Sequence, residues 1–176
     1  SMLVLRPADA RETTEAWKLA MQNVKTPTAL ILSRQNIIDL PEGNDYSLVE
    51  KGGYIVAGSD ENPDVILVAT GSEVSTLAQG AELLRRDGRK VRIVSVPSEG
   101  LFRSQSPEYQ ESVLPRNVKK FGLTAGLPVN LLGLVPAAEG SIWGLESFGF
   151  SAPYKVLDEK LGYTAENVYA KVNKLF

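Results

Sequence analysis

The chain has 176 residues, a net charge of −2, and acidic and basic side chains that are interspersed along its length. This balance gives no electrostatic reason to expect binding to nucleic acid or an acidic membrane, and no apolar run approaches membrane-spanning length. Because the sequence has no cysteine and no histidine, it excludes disulfides, thiolate metal sites and the commonest general base. The lack of cysteine and of a visible signal peptide favours a cytoplasmic protein.

The first 45 residues predict a βαβ unit. Residues 3–5 form a short apolar strand, and Asp9 and Glu12 fit a capping box that opens a helix running to about residue 24. Helical spacing predicts one buried stripe on this helix, which consists of Ala16, Trp17, Ala20 and Val24.

Residues 28–32 (TALIL) predict a second buried strand, and a polar stretch with proline and two glycines follows at residues 39–52. Because this stretch shows no clear periodicity, we expect a linker there. The first unit then ends at residue 45, the linker occupies residues 46–52, and a second domain comprises residues 53–176.

The second domain is organised around an apolar run at residues 65–69 (VILVA). Such a run is typical of a strand that is buried on both faces of a parallel sheet. A helix is expected next, with Ser72 as its N-cap and Gly88 as its stop. Its apolar stripe is Val74, Leu77, Ala78, Ala81 and Leu84. A strand at residues 91–96 completes a right-handed βαβ unit.

The other elements alternate short strands with helices. A strand at residues 54–57, joined to the central strand by a short turn at 58–62, is expected to be an antiparallel edge if the two are neighbours. A loop is predicted at 97–100, followed by a helix that begins at Ser106 and ends before Pro115. A strand at 118–125, interrupted by Gly122, precedes a loop with some helix at 126–140 and a strand at 141–146. The chain ends with helices at 153–161 and 165–175, capped by Ser151 and Thr164. The predicted fold is α/β and three-layered, with a mostly parallel five-stranded sheet and one antiparallel edge strand, preceded by a βαβ fragment of another α/β domain.

Thr70, Gly71 and Ser72 form a candidate anion site. They follow a buried strand and precede a helix, where free backbone N–H groups and the helix dipole favour negative charge. One glycine followed by Glu73 is not a dinucleotide fingerprint or a P-loop, and Glu73 would repel a phosphate if it pointed inward. The alternative is a tight strand-to-helix turn capped by Ser72.

Arg34 is the second candidate site residue. It follows a predicted strand directly, at the edge of the sheet where α/β proteins bind ligands, and its planar guanidinium suits phosphate. A surface ion pair is the alternative. The acidic residues show no metal-ligand spacing, and a serine nucleophile would have no imidazole to support it. The residues alone therefore indicate no catalytic and no metal-binding residue.

Several segments together resemble the C-terminal part of transketolase. Arg-Pro-Ala-Asp at residues 6–9 and Ser-Arg-Gln-Asn at 33–36 favour transketolase over related thiamine-diphosphate enzymes. The other matching segments include DVILVATGSEV at 64–74, GFSAP at 149–153 and LGYTAEN at 161–167. Residues 122–140 depart from the family pattern, because they lack the Gly-Trp and Tyr-Val-Gly segment expected there.

The resemblance implies that residues 1–45 end a pyrimidine-binding domain and that residues 53–176 are the C-terminal domain. The complete enzyme would transfer a two-carbon ketol unit between sugar phosphates, with the carbanion chemistry supplied by thiamine diphosphate and a divalent metal. Arg34 matches the family arginine that contacts the sugar phosphate.

The family's histidines, metal ligands and cofactor-activating glutamate lie upstream of the matching segments. The resemblance therefore implies that no cofactor is bound by this chain alone and that the chain alone is inactive. It also implies the rest of the transketolase as a partner and a homodimer in the complete enzyme. The alternative is a stand-alone module for anion binding or subunit assembly.

Overall fold

The computed structural model describes residues 1–58 and 62–176, and they form two β-sheets. The elements of the smaller sheet are β1 (Leu3–Leu5), α1 (Ala10–Gln22) and β2 (Thr28–Leu30). The two strands are parallel, with Leu5 opposite Leu30. This confirms the βαβ unit that the sequence predicts. Most of the predicted turn at 58–62 lies outside the described residues.

Helix α1 begins at the cap that the sequence predicts. The Asp9 carboxylate accepts a hydrogen bond from the Glu12 backbone N–H at 2.7 Å. The reciprocal bond of a capping box is shifted by one residue, because the Glu12 side chain accepts from the N–H of Ala8 rather than that of Asp9.

The predicted buried stripe of α1 is wrong for two of its members. Ala16 is buried, but Trp17 is 52% exposed and Val24, which lies beyond the end of the helix, is 86% exposed. The helix packs against a 3₁₀ helix at Tyr46–Lys51. Only the side of α1 that faces this neighbour and the larger sheet is covered, so an apolar stripe outside it stays in solvent.

Strand β2 is shorter and less buried than predicted. Its three residues are half-buried, and Ile31 and Leu32 lie beyond it with about half of their surface exposed. The reason is that a two-stranded sheet leaves β2 as an edge with one neighbour.

The stretch predicted as a linker has structure of its own. Asp45 caps the 3₁₀ helix by accepting from the Ser47 N–H, and Val49 and Leu40 are buried. The segment is therefore packed against α1 and is not an extended linker. The domain boundaries at residues 45 and 53 stay a prediction.

The larger sheet contains β3 (Tyr54–Ala57), β4 (Val65–Ala69), β5 (Val91–Ser95), β6 (Lys119–Leu123) and β7 (Ile142–Trp143). Within the described residues, the order across the sheet is β3-β5-β4-β6-β7. All neighbouring strands are parallel except β3 and β5, which are antiparallel. This confirms the predicted α/β fold with one antiparallel edge strand, although the edge strand neighbours β5 and not β4.

Helices cover both faces of this sheet. They are α2 (Glu73–Arg86), α3 (Glu99–Arg103), α4 (Pro107–Val113), α5 (Tyr154–Leu161) and α6 (Ala165–Asn173). Every side chain of β4 is buried, and successive ones point to opposite layers. Leu67 packs with side chains of α2 and α6, whereas Val68 packs in a second cluster with Phe102 of α3 and Val113 of α4.

Several local predictions for the larger domain are corrected. Helix α3 forms in part of the expected loop at 97–100, because its single turn buries Phe102. Gly122 does not interrupt β6; it lies within the strand, where a Cβ would meet a Leu131 side-chain carbon at 2.7 Å. Strand β7 has two residues only, and Pro153 rather than Ser151 precedes α5, without a side-chain cap.

Other helix ends are where the sequence predicts them. Ser106 caps α4 by accepting from the Tyr109 N–H, and Thr164 caps α6 by accepting from the Asn167 N–H. Helix α4 ends before Pro115, and a left-handed Gly162 separates the two terminal helices. These capping predictions are therefore confirmed.

Candidate functional site

The carboxyl ends of β4, β5 and β6 meet the first βαβ unit across a cleft of about 1310 Å³. The strand order reverses between β4 and β6, and open α/β sheets bind ligands at such an edge. The cleft is lined by Arg6 from the first unit and by residues that follow the strands, among them Thr70, Ser98, Ala125 and Asn130. The side chains of these loops decide what this edge can do.

An ion pair between Arg6 and Glu73 occupies part of this edge. Arg6 Nη1 lies 2.6 Å from Glu73 Oε2 and Arg6 Nη2 lies 3.0 Å from Oε1, so the two groups meet in bidentate fashion. Arg6 also donates to the backbone oxygen of Thr70, and the Ala125 N–H donates to Glu73 at 3.2 Å. Because Glu73 is buried, the pair ties the first unit to the ends of β4 and β6.

The candidate anion site lies beside this ion pair. Gly71 has a φ of +64°, and a Cβ there would lie 2.6 Å from the Arg6 guanidinium carbon, so glycine allows the close approach of Arg6. Ser72 occupies the N-cap position of α2, as the sequence predicts, but its side chain makes no capping hydrogen bond. Its backbone is helical, and its hydroxyl donates to Glu73 at 2.8 Å. The Glu73 carboxylate thus supplies negative charge where the prediction places an anion. The anion site at Thr70, Gly71 and Ser72 stays a prediction that this geometry disfavours.

Asp9 joins three pieces of the first unit. In addition to capping α1, its carboxylate accepts from the Leu40 N–H at 3.0 Å and from the Tyr46 hydroxyl at 2.5 Å. Burial and the hydrogen bond to Asp9 raise the pKa of Tyr46, so the phenol remains a donor. Asp9 therefore holds the 3₁₀ helix against α1.

Glu12 is buried where α1 meets the larger sheet. Its Oε1 accepts from the Tyr54 hydroxyl at 2.8 Å and from the Ser95 hydroxyl at 2.6 Å, and its Oε2 accepts from the Ala8 N–H at 2.7 Å. Burial raises the pKa of Glu12, and these hydrogen bonds offset part of that rise. Burial and the charge of Glu12 raise the pKa of Tyr54, which keeps its hydroxyl protonated as a donor.

Arg34 follows β2 and is exposed to solvent. It lies on the carboxyl side of that strand, as the sequence predicts. No ion pair between described residues includes Arg34, so the surface ion-pair alternative has no partner within that part of the chain. The guanidinium is therefore presented to solvent.

The described residues bring together no group of three or more histidine, cysteine or acidic side chains that could hold a metal ion. We therefore assign no residue of the described ranges to a divalent metal. Across the same described ranges, no helix has both the length and the apolar character needed to cross a membrane.

Comparison with known proteins identifies the family. A family model described as "Transketolase-like TK C-terminal domain" matches residues 52–164, more than half of the chain. The chain belongs to the transketolase family. A chloroplastic transketolase from Craterostigma plantagineum is 44% identical over 99% of this chain, which covers 34% of that relative.

Solved transketolases share the fold of this chain. The transketolase from Leishmania mexicana has a TM-score of 0.90 and 34% identity, with 99% of this chain and 25% of the other covered. The Pichia stipitis transketolase in complex with sedoheptulose 7-phosphate has a TM-score of 0.84 and 34% identity, over 98% of this chain and 25% of the other. The chain thus spans about a quarter to a third of the length of these transketolases and corresponds to their C-terminal part.

Sequence reasoning missed the residues that join the two units of this transketolase segment. The sequence predicts Glu12 only as part of a capping box, and it predicts no contact for Tyr54 or Ser95. A signal was present, since both hydroxyls lie in mostly apolar strands and a buried hydroxyl needs a hydrogen-bond partner. That rule predicts that a partner exists but does not identify it.

Proposed function

We propose that this chain is the C-terminal section of a transketolase subunit, and that the complete enzyme transfers a two-carbon ketol unit between sugar phosphates in the pentose phosphate pathway. Residues 1–45 are then the last βαβ unit of the pyrimidine-binding domain, residues 46–52 connect it, and residues 53–176 are the C-terminal domain. The match to the family model and the similarity to a transketolase solved with a sugar phosphate support this proposal.

Arg34 is the residue of this chain that we assign to the substrate. A guanidinium can hold a phosphate through two parallel hydrogen bonds. The observation that carries the assignment is an exposed arginine on the carboxyl side of a parallel strand, within the Ser-Arg-Gln-Asn motif at residues 33–36. Its role is to bind the phosphate and so to orient the sugar, while the bond-making chemistry occurs elsewhere.

Thiamine diphosphate and the divalent metal belong, in this proposal, to the part of the enzyme outside this chain. No residue of the described ranges is assigned to a metal, and no step of the reaction is assigned to them. The isolated chain then has no ketol-transfer activity. We propose a cytoplasmic enzyme, with the chloroplastic relative from Craterostigma plantagineum as an instance of the family in another compartment.

The exposed apolar surface of α1 supports a partner for this chain. Trp17 and Met21 are four residues apart on one face of α1, and Val24 follows just beyond the end of the helix. The three residues are 52%, 78% and 86% exposed. Apolar side chains grouped in this way are typical of an interaction surface. We propose that the rest of the transketolase subunit covers them, within an enzyme that is a homodimer.

The assignment of Arg34 is tested by Arg34→Ala in the complete enzyme. A hydrogen bond to a charged group contributes about 1.5–3 kcal/mol, so the KM for a sugar-phosphate donor should rise roughly 10- to 100-fold. The KM for a ketol donor without phosphate should not change, because that donor has no group for Arg34 to hold. Steady-state kinetics with both donors measure the difference.

Arg116→Ala is the matched control, since the Arg116 side chain is 91% exposed and lies near Glu111 at a surface loop. It should leave both KM values at the wild-type level. An equal KM change for both donors in Arg34→Ala, or no change at all, would show that Arg34 does not bind the phosphate.

A further inference from the structure

A continuous set of contacts links the larger sheet to the segment that carries Arg34. We infer that Glu12 is a positioning residue for sugar-phosphate binding, because it fixes the first βαβ unit on the C-terminal domain and so sets where Arg34 lies. The inference rests on the proposed function. It assigns to the C-terminal domain the task of holding a phosphate-binding residue in place.

The first step is the attachment of Glu12 to the sheet. One carboxyl oxygen accepts from Tyr54 of β3 at 2.8 Å and from Ser95 of β5 at 2.6 Å. Both donors are fully buried, as is Glu12 itself. Hydrogen bonds are directional, so two donors from neighbouring strands fix the orientation of the carboxyl group as well as its place.

The second step is the attachment of Glu12 to the loop between β1 and α1. Its other oxygen accepts from the Ala8 N–H at 2.7 Å. Arg6, in the same loop, is held by Glu73 and by the backbone of Thr70. The loop is therefore fixed to the larger domain at two separate points.

The third step leads from this loop to Arg34. Strand β1 ends in the loop and pairs with β2 in parallel register, Leu5 opposite Leu30. The Ile31 N–H donates to the Leu5 oxygen at 2.9 Å, so the chain leaving β2 is still held by β1. Arg34 follows within the same short segment, and a shift of β1 would move it.

Stability alone is a poor explanation for a buried carboxyl group at this place. Taking a charge out of water is costly, and apolar replacements of buried ionic groups are often neutral or stabilising. Apolar contacts between α1 and the sheet would, however, tolerate sliding. The directional contacts of Glu12 supply the fixed geometry that a phosphate site on a neighbouring unit needs.

The test is a double-mutant cycle with Tyr54→Phe and Arg34→Ala in the complete enzyme. Tyr54→Phe removes one donor from Glu12 and keeps the ring, so we expect the KM for a sugar-phosphate donor to rise roughly fivefold, the loss expected for one hydrogen bond. The KM for an unphosphorylated ketol donor should stay unchanged. In the Arg34→Ala background, Tyr54→Phe should add nothing, because two residues that act through one contact are not additive.

Tyr109→Phe is the matched control. The Tyr109 hydroxyl donates to the backbone oxygen of Gly53 at 2.9 Å. Gly53 precedes Tyr54 in the chain, but this hydrogen bond does not involve Glu12, so the variant should leave both KM values unchanged. Ser95→Ala removes the other donor to the same oxygen and serves as the second test if Tyr54→Phe fails to fold. Thermal unfolding of each variant shows whether it is folded.

The outcomes separate the two proposals. If Arg34→Ala raises the KM for the phosphorylated donor and neither Tyr54→Phe nor Ser95→Ala does, the role of Glu12 is wrong and the proposed function stands. Equal effects on both donors, or effects that add to that of Arg34→Ala, would also overturn the role of Glu12. If Arg34→Ala has no effect, the phosphate assignment fails and the inference fails with it.

Discussion

Glu12 lies where water does not reach, and its protonation is therefore coupled to folding. Burial is the largest cause of its raised pKa, and the nearby Asp9 charge acts in the same direction. The hydrogen bonds from Ser95, Ala8 and Tyr54 act in the opposite direction without cancelling the rise. A group whose pKa differs between the folded and unfolded chain makes stability depend on pH.

This coupling predicts a pH-dependent difference between the wild-type chain and Glu12→Gln. The pKa of Glu12 is raised above its ordinary value of 4.5 on folding, so the folded state binds more protons between the two pKa values. The contribution of Glu12 to stability therefore falls as the pH rises from about 4.5 through the folded pKa. The free energy of unfolding of the wild type minus that of Glu12→Gln should decrease over this range.

Urea denaturation of both chains at a series of pH values between about 4 and 8 measures this difference. Glutamine does not titrate, and the other carboxyl groups are common to both chains. A difference that is constant with pH would mean that the hydrogen bonds of Glu12 balance its burial, and one that grows with pH would mean that they outweigh it.

At the residue scale, the sequence predicts contacts between residues that are close together in the chain. Asp9 is the cap of α1 because its carboxylate and the Glu12 N–H are three residues apart in the chain. The pairing of Arg6 with Glu73 was not predictable in this way, since it joins residues that are distant in sequence and meet only at the edge of the folded sheet. The Ser72 hydroxyl, which the sequence predicts as the cap of α2, donates to Glu73 of this pair instead.

At the element scale, helices α2 and α6 pack closely against each other, and a glycine in α2 allows α6 to come this near. A Cβ on Gly80 of α2 would lie 2.6 Å from Val168 Cγ1 and 2.8 Å from Val168 Cβ. Val168 is fully buried and β-branched, so its side chain has little freedom to move aside.

Gly80→Ala should therefore destabilise the chain despite the better helix propensity of alanine. Propensity favours alanine by about 1 kcal/mol, whereas overpacking a well-packed site costs about 1–3 kcal/mol. We expect a net loss of about 1 kcal/mol in the free energy of unfolding, measured by urea denaturation.

Gly100→Ala is the control for this prediction. Gly100 lies in helix α3, and a Cβ there would meet nothing within 4 Å, so the variant should gain stability by up to about 1 kcal/mol. The packing explanation would be contradicted if both variants were stabilised alike.

The long elements were predictable because their pattern is carried by many residues at once. The apolar run of β4 and the helical spacing of α2 gave both elements and their buried sides. Short elements were not predictable from the sequence, because a single turn of helix is not stable without contacts to the rest of the protein. Helix α3 and the 3₁₀ helix at Tyr46–Lys51 exist because folding buries Phe102 and Val49, and those contacts come from distant parts of the chain.

At the scale of the whole molecule, the two units of this chain are held together by buried polar groups and the first unit keeps apolar side chains exposed. The sequence predicts Trp17 on the buried stripe of α1, but about half of this residue is exposed to solvent in the structure. Periodicity indicates which face of a helix is apolar, but it does not show whether the covering element lies in the same chain. Since solved relatives are about four times as long, we propose that the cover comes from the rest of the enzyme.

The most direct measurement is ketol transfer by this chain, alone and together with a separately produced polypeptide that supplies the rest of a transketolase subunit. Both samples receive thiamine diphosphate, Mg²⁺ and a pair of sugar phosphates. We predict no turnover above background from the chain alone and turnover from the mixture, with loss of that gain when Arg34→Ala replaces the wild-type chain at donor concentrations below its KM. Turnover by the chain alone, or an assembled mixture that stays inactive, would contradict the assignment of this chain as the C-terminal section of a transketolase.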